Sequence, residues 1–184
     1  MIVLPNYLNL KKDLWDQASS FINVFLDRRN LTFQHQLNDE IFLYQHNETG
    51  NPTFLVLVYL EKMGIEHLKS YIQYCENTII KDIIIIYQQN ITTNCIKVIE
   101  HLFQYNIELF SLNEFQYDIT KLYYYIPHEK IQNSDFLKKI REKYKNKLPI
   151  LLRTDPICRY FGFKRNDIIK IERNKNEIIF RQVR

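Results

Sequence analysis

The sequence has 184 residues, of which 46% are hydrophobic and 25% are charged, and its net charge is +4. This is the balance of a globular protein with a buried core and excludes a disordered chain. No apolar run approaches the roughly 20 residues that a membrane-spanning helix needs. The first residues lack the basic region and cleavage site of a secretory signal, so none is expected. The length allows one medium domain or two small ones.

Three cysteines, Cys75, Cys95 and Cys158, lie far apart in the sequence. They form no CxxC pair and the histidines do not cluster with them, so neither a zinc site nor a disulfide framework is expected. We interpret them as buried thiols of a protein in a reducing compartment. Alanine occurs once and glycine three times, while isoleucine and asparagine are abundant. This skew indicates an AT-rich genome rather than a requirement of folding.

Positive charge is concentrated near the end of the sequence. Residues 147–184 hold ten basic and four acidic residues, a net charge of +6, so the other 146 residues sum to −2. A basic end on a nearly neutral body indicates contact with nucleic acid or with an acidic protein surface. A solvated basic face is the alternative interpretation.

Hydrophobic periodicity predicts alternating helices and strands over the first 125 residues. The predicted elements are, in order, an amphipathic helix over 7–28, strands over 40–46 and 53–60, a helix opening at Gly64, a buried strand over 82–87, a helix capped by Thr92 or Thr93, and a strand over 107–110. This order predicts an α/β layer structure with a partly parallel sheet. Residues 123–125, three consecutive tyrosines, are interpreted as part of a further strand.

The pattern changes at Pro127, and we predict two domains, 1–127 and 128–184. A basic helix is expected from Ser134 to about residue 144. It is followed by a short helix with Thr154 as its N-cap and Gly162 as its left-handed C-terminal residue. Two alternating strands, over 167–173 and 177–183, then form a hairpin. The second domain is therefore predicted as a small α+β unit, a short helix on a hairpin.

The segment over 155–171 reads DPICRYFGFKRNDIIKI, a long and chemically unusual run. It resembles the hallmark of the fifth, shared subunit of eukaryotic RNA polymerases and of its archaeal counterpart. The usual form of that hallmark is DPVARYxGLKRGxVVKI, and the Leu-Pro that precedes it in the family is matched by Leu148-Pro149. Segments over 85–92, 107–110 and 126–128 resemble, more distantly, the N-terminal jaw domain of the same family, which the archaeal members lack.

The sequence also departs from the family pattern. Arg165-Asn166 stands where the family has Arg-Gly, the loop over 174–176 is shorter than usual, and Thr93 replaces a frequent proline. Together with the AT-rich composition, these departures favour a large DNA virus that encodes its own polymerase. The expected location is then the virion and the host cytoplasm. A divergent protist, with the protein in the nucleus, is the alternative.

The resemblance implies an N-terminal α/β jaw domain of restriction-endonuclease-like fold and a C-terminal α+β assembly domain. It implies one copy per polymerase, docked on the largest subunit beside neighbouring small subunits, with no cofactor and no membrane contact. The positions that match the family motif and are expected at the subunit interface are Leu148, Pro149, Asp155, Pro156, Arg159, Tyr160, Gly162, Lys164, Arg165 and Lys170. Among these, Asp155 is also expected to cap a helix and Arg159 to reach carboxylate or carbonyl groups of a partner.

No catalytic residue and no metal site are predicted. The sequence contains no DxD run to hold magnesium and no glycine-rich phosphate loop. A nuclease on this fold needs an acidic residue and an Asp/Glu-x-Lys motif on neighbouring strands. The predicted strand over 54–60 carries no acid, and Glu61-Lys62 lacks the spacer. The chain is therefore expected to be non-catalytic.

The resemblance implies that the jaw domain lies beside downstream duplex DNA, and the turn over 88–93 is the candidate contact. Its candidate residues are Gln89, Asn90, Thr92 and Thr93, whose amides and hydroxyls can bond phosphates without reading sequence. An ordinary polar turn explains the same residues equally well. The alternative function is a free-standing DNA-binding protein on an inactive nuclease-like fold, which would bind duplex DNA in a salt-sensitive way.

Overall fold

The computed structural model describes residues 12–145, 147–174 and 177–184. The helices are α1 (Lys12–Arg28), α2 (Ile65–Glu76), α3 (Thr93–His101), α4 (Ser134–Tyr144) and α5 (Pro156–Phe161). The strands are β1 (Leu31–Gln36), β2 (Ile41–His46), β3 (Pro52–Val58), β4 (Lys62–Met63), β5 (Asp82–Tyr87), β6 (Asn90–Ile91), β7 (Asn106–Ser111), β8 (His128–Lys130), β9 (Ile150–Leu151), β10 (Ile168–Asn174) and β11 (Glu177–Val183). The predicted α/β class is confirmed.

The chain divides into two compact units between Tyr117 and Asp118. This division lies ten residues before the predicted domain boundary at 127/128. In the N-terminal unit, five strands form a sheet in the order β1-β2-β3-β5-β7. The first three strands pair antiparallel, whereas β3, β5 and β7 pair parallel. The predicted elements of this unit occur in the predicted order, including the partly parallel sheet, and β1, β4 and β6 are further strands that the sequence did not predict.

The strands β3 and β5 are almost continuously apolar because both of their faces are covered. Helices α2 and α3 cover one face, towards which Ile83 and Ile85 of β5 project. The cluster on that face includes Phe54, Val56, Val58, Leu68, Ile72, Cys75 and Cys95. Because successive side chains of a strand alternate between faces, Ile84 and Ile86 lie on the opposite face.

Helix α1 covers that opposite face with aromatic contacts. Ile86 is in register with Phe110 of β7, so the two residues share the face. The ring of Phe25 packs edge-on against Phe110 at 5.3 Å and against Phe115 at 5.0 Å between ring centroids. The predicted amphipathic helix is therefore confirmed from residue 12 onward, and its predicted portion over 7–11 lies outside the described residues.

The C-terminal unit is larger than the predicted helix on a hairpin. Its four strands follow the order β8-β10-β11-β9, in which β9 pairs parallel with β11 and the other pairs are antiparallel. Ile140 of α4 packs in a cluster with Ile168 of β10, while Cys158 of α5 packs with the next residue, Ile169. Since Ile168 and Ile169 point to opposite faces, α4 and α5 cover opposite sides of this sheet.

The strand interpretation of residues 123–125 is wrong. Tyr123 and Tyr124 lie in a turn, in which the backbone N–H of Tyr125 donates to the carbonyl of Leu122 at 2.9 Å. Both side chains are exposed rather than alternating between a buried and a solvated face. A run of three aromatic residues therefore reflects a surface turn in this chain.

The three cysteines are buried and free, as predicted. Burial, with the nearby Glu76 carboxylate as a second cause, raises the pKa of the Cys75 thiol to about 11. Burial alone raises the pKa of Cys95. Both thiols are thus held in the unreactive protonated form at neutral pH. Across the described ranges, no group of three His, Cys, Asp or Glu side chains could hold a metal ion, and no helix there could cross a bilayer.

Candidate functional site

The start of the family-like motif is organised by the capping of α5. The carboxylate of Asp155 accepts hydrogen bonds from the backbone N–H of Ile157 at 2.9 Å and of Cys158 at 3.3 Å. Asp155 is therefore the N-cap, and the prediction of Thr154 in that role was wrong by one residue. Pro156 takes the first helical position, where its missing N–H costs no hydrogen bond.

The end of α5 has the hydrogen-bond pattern of a Schellman motif. Gly162 has a φ of 65°, and its N–H donates to the carbonyl of Arg159 at 3.1 Å. The N–H of Phe163 donates to the carbonyl of Cys158 at 3.0 Å. Both bonds satisfy carbonyls that the helix itself leaves open. The predicted left-handed role of Gly162 is confirmed, so this motif position serves the local fold.

Two other motif residues, Leu148 and Tyr160, are buried inside the unit. Leu148 packs in the cluster that contains Ile140 and Ile168, and the ring of Tyr160 lies edge-on to that of Phe161 at 5.3 Å. These side chains hold the motif in place from within. Their burial leaves the exposed members of the motif as the ones able to meet a partner.

The turn after α5 explains the departure of this sequence from the family's Arg-Gly. The N–H of Asp167 donates to the carbonyl of Lys164 at 3.0 Å, which closes a β-turn with Arg165 and Asn166 at its centre. Asn166 has a φ of 74°, whereas Arg165 is not among the residues with positive φ. This is the pattern of a type II turn, whose third position favours glycine or asparagine. Asparagine can therefore take the position at which the family pattern has glycine.

Replacing Asn166 is expected to separate backbone strain from side-chain contact. Asn166→Gly should change the free energy of unfolding by no more than about 0.5 kcal/mol, because glycine adopts the positive φ freely. Asn166→Val should lower it by about 2 kcal/mol, because a β-branched residue is strained there. Urea unfolding followed by circular dichroism measures both values. Equal losses in the two variants would contradict the turn assignment.

Arg159 of the motif is half-buried, and the other basic motif residues fall into two groups. Lys170 is paired inside the unit: its Nζ contacts carboxylate oxygens of Glu172 at 2.5 Å and Glu129 at 3.5 Å. The hydrogen bond to Glu172 is the main cause of a raised pKa at Lys170. The side chains of Lys164 and Arg165 are exposed in the turn. Lys164 and Arg165 are therefore the motif residues whose positive charge is exposed to solvent.

The strand β9 forms an apolar edge of the C-terminal sheet. It is the last strand in the described sheet order and is joined to β11 on one side. The side chains of Ile150 and Leu152 keep 48% and 61% of their surface exposed, while Leu151 between them is buried. Pro149, next to them, is exposed, and its carbonyl accepts from the N–H of Gln182 at 2.8 Å. We call residues 149–152 the β9 edge.

In the N-terminal unit, the candidate turn is pinned by a short parallel ladder between β4 and β6. The N–H of Thr92 donates to the carbonyl of Met63 at 3.0 Å. The hydroxyl of Thr92 accepts from the N–H of Cys95 at 3.2 Å, so Thr92 is the N-cap of α3. Of the two predicted caps, Thr92 is the one confirmed. The hydroxyl of Thr92 is therefore already engaged in capping α3.

The other three candidates in the turn, Gln89, Asn90 and Thr93, are exposed. They lie at the carboxyl ends of parallel strands and at the start of α3, where the positive end of the helix dipole favours an anion. The backbone N–H of Asn90 is already bonded to the carbonyl of Glu61 at 3.2 Å. For Asn90, the side chain is thus the group that remains available to a phosphate.

A buried ion pair joins the end of α1 to β7, and sequence reasoning missed it. The guanidinium of Arg29 donates two hydrogen bonds to the carboxylate of Glu108, at 3.0 and 2.8 Å. The same guanidinium lies over the rings of Phe25 and Phe110, 4.4 and 5.5 Å from their centroids. The two partners are 79 residues apart, so no local pattern could have linked them. This acid on the central sheet serves the fold.

Comparison with known proteins shows which class of protein the chain resembles. Residues 117–183 match the family model described as RNA polymerase Rpb5, C-terminal domain. Subunit RPABC1 of DNA-directed RNA polymerases I, II, and III from Caenorhabditis briggsae is 25% identical over 171 residues, which cover 91% of this chain and 81% of the relative. The protein of the same name from Caenorhabditis elegans is 27% identical over 141 residues, or 74% and 66% of the two chains.

A plant relative is also named as a subunit of DNA-directed RNA polymerases. Subunit 5B of DNA-directed RNA polymerases IV and V from Arabidopsis thaliana is 30% identical over 95 residues, covering 50% of this chain and 43% of the relative. The class that these matches define is a subunit of a multisubunit DNA-directed RNA polymerase. Within that class, residues 117–183 match the C-terminal domain of the fifth, shared subunit, and the relatives support that family for the chain, as its motif over 155–171 indicated.

Proposed function

We propose that the chain is a non-catalytic subunit that docks on the largest polymerase subunit through its C-terminal unit. Its N-terminal unit then acts as a jaw beside the downstream DNA. The observation that carries the docking proposal is the β9 edge, an exposed apolar strand edge within the part of the chain that matches the family model. The proposed stoichiometry is one copy per polymerase, as the resemblance of the sequence to the family implied.

The β9 edge has the properties of a protein interface. The carbonyl of Ile150 accepts from the guanidinium of Arg181 at 3.4 Å, and that of Leu152 accepts from the N–H of Asp155 at 3.0 Å. Apolar side chains rather than strand pairing would therefore make the contact. Ile150 and Leu152 are the alternate side chains that remain exposed. The open cations of Lys164 and Arg165 suit the polar rim that surrounds an interface core. The partner surface is expected to be apolar at its centre and acidic at its margin.

The non-catalytic assignment is supported by how the acids of the central sheet are used. Glu108 is bound by Arg29, and Asp82 accepts a hydrogen bond from the side-chain amide of Asn106 at 2.8 Å. Strand β3 carries no acidic residue. A metal-dependent nuclease needs several carboxylates that converge on one ion. The carboxylates of the central sheet, Glu108 and Asp82, instead accept hydrogen bonds from neighbouring side chains of the same unit.

The jaw proposal is tested by placing a photo-cross-linking phenylalanine derivative at Asn90. We expect it to cross-link to downstream duplex DNA in a transcribing complex, because Asn90 is exposed near the start of α3. The same derivative at Lys81 is the matched control. Lys81 is also exposed but precedes β5, roughly 20 Å away at the opposite end of that strand. Equal labelling at both sites, or none at Asn90, would contradict the jaw placement.

A nuclear location fits this function best. The relatives that match the chain come from nematodes and a plant. They support the cellular alternative and give no support to the virion and host cytoplasm, which composition alone had favoured. A polymerase subunit of a divergent eukaryote with an AT-rich genome is consistent with both the composition and the relatives.

A free-standing DNA-binding protein is the rival function. Co-expression of the tagged chain with the largest polymerase subunit of the same organism distinguishes these two functions. The bound proteins are washed at about 1 M salt, because exposed charges are then screened beyond about 3 Å. The subunit proposal predicts that the two proteins elute together as a one-to-one complex. Elution of the chain alone, together with duplex binding at low salt, would favour the free-standing protein.

A further inference from the structure

Helix α4 and the residues that follow it carry a dense positive charge. Residues 134–147 hold six basic and two acidic side chains, a net charge of +4. All six basic side chains are exposed. We call them the α4 cations: Lys138, Lys139, Arg141, Lys143, Lys145 and Lys147.

The α4 cations differ from the cations on the neighbouring sheet. Lys130 is paired with Asp167 at 3.0 Å, Lys170 with Glu129 and Glu172, and Arg173 with Glu177 at 3.7 Å. Among the described residues, by contrast, no carboxylate lies within ion-pair distance of any α4 cation. Asp135 and Glu142 lie three or four residues from Lys138 and Lys139, on the same side of the helix, and offset part of this charge. The net positive charge of α4 is thus only partly offset within the described part of the chain.

Three of the four apolar residues of α4 pack into the unit, while Phe136 keeps 43% of its surface exposed. Ile140 is buried, Leu137 and Tyr144 are half-buried against the same cluster, and the ring of Phe136 packs edge-on against Phe180 at 5.9 Å. Protein interfaces are depleted of lysine and depend on aromatic or aliphatic anchors at their centre. A lysine-rich face, on a helix whose apolar residues mostly pack into the unit, is better matched to a regular array of negative charge.

We propose that the α4 cations bind the phosphate backbone of duplex nucleic acid. The eleven residues of α4 extend about 16 Å, so the α4 cations can reach several phosphates of a duplex. Five of the six cations are lysines, whose compact charges suit phosphate contacts, and phosphate contacts carry no sequence information. The contact is therefore independent of sequence and belongs to the C-terminal unit, separate from the turn of the N-terminal unit.

The test is a fluorescence anisotropy titration of a labelled 20-base-pair duplex with the full chain, at several salt concentrations from about 20 to 200 mM. The double variant Lys138→Gln/Lys139→Gln should bind at least about tenfold more weakly at the lowest salt. The slope of log affinity against log salt should fall by about two, since each lost phosphate contact removes nearly one unit. The matched control is Lys81→Gln/Lys121→Gln, which removes the same charge from exposed lysines elsewhere and should change affinity less than about threefold.

An equal loss of affinity in the test and control variants would overturn the proposal, because net charge would then explain the binding. Unlabelled duplex should compete far better than a polyglutamate peptide of the same total charge. If polyglutamate competes equally well, the face is a site for an acidic protein segment and not for nucleic acid. An unchanged salt slope in Lys138→Gln/Lys139→Gln would also overturn it. Circular dichroism of each variant confirms that these exposed substitutions leave the fold intact.

Discussion

Replacing Glu108 by alanine is expected to lower the free energy of unfolding by about 3 kcal/mol. The side chain of Arg29 is only 7% exposed, so Glu108→Ala leaves a buried guanidinium without the carboxylate that takes two of its hydrogen bonds. Removing one partner of a buried pair is far more costly than the pair's net contribution. We place the value at the lower end of the usual range because Glu108 is 27% exposed and the rings of Phe25 and Phe110 still face the cation.

The exposed pair of α2 provides the matched control. Lys69 contacts Glu66 at 2.9 Å, nearly the same distance as in the buried pair, but both side chains are open to solvent. Glu66→Ala should therefore change the free energy of unfolding by less than about 0.5 kcal/mol. Urea denaturation of both variants, followed by far-ultraviolet circular dichroism, measures the difference. Similar values for the two variants would show that Arg29 and Glu108 do not lock α1 to the sheet.

Charging the β9 edge is expected to abolish stable docking on the largest subunit. The double variant Ile150→Asp/Leu152→Asp places two carboxylates where the proposed interface has its apolar centre. Each central anchor of an interface contributes about 2 kcal/mol or more, so affinity should fall by several hundredfold. Co-purification of the largest subunit with the tagged variant, compared with the unaltered chain, measures this loss.

Ile178→Asp is the control for this experiment. Ile178 lies on β11 and is 49% exposed, which matches the 48% of Ile150, but it does not belong to the β9 edge. We expect this variant to retain the largest subunit at the level of the unaltered chain. Both substituted residues of the edge are largely exposed, so circular dichroism should show an unchanged fold. Retention of the largest subunit by Ile150→Asp/Leu152→Asp would contradict docking through this edge.

The strands and helices with a strong local pattern were predictable from the sequence. The run of isoleucines in β5 indicates a strand buried on both faces, and Gly162 marks the end of α5 because few other residues adopt a positive φ. Strand β1 was missed because only Leu31 of its six residues is buried, which leaves no alternation to detect. Strands β4, β6 and β9 are two residues long and exist only through their tertiary partners.

For the candidate site, the sequence predicted the motif but not which of its residues are buried. The motif over 155–171 identified the family, but burial divides its residues into interior ones, such as Leu148 and Tyr160, and exposed ones, such as Lys164 and Arg165. No pattern in the sequence distinguishes the buried motif residues from the exposed ones. The same holds for the charges: Lys170 and Lys138 look alike in the sequence, and the fold places carboxylates beside the first only.

The most direct test of subunit membership is affinity purification of the tagged chain from its native source. The resin is washed at about 1 M salt, which screens exposed charges almost completely, and the eluate is analysed by mass spectrometry. Membership in the polymerase predicts recovery of both large RNA polymerase subunits in stoichiometric amounts. Recovery of the chain alone, or with DNA but without either large subunit, would contradict it and favour a free-standing DNA-binding protein.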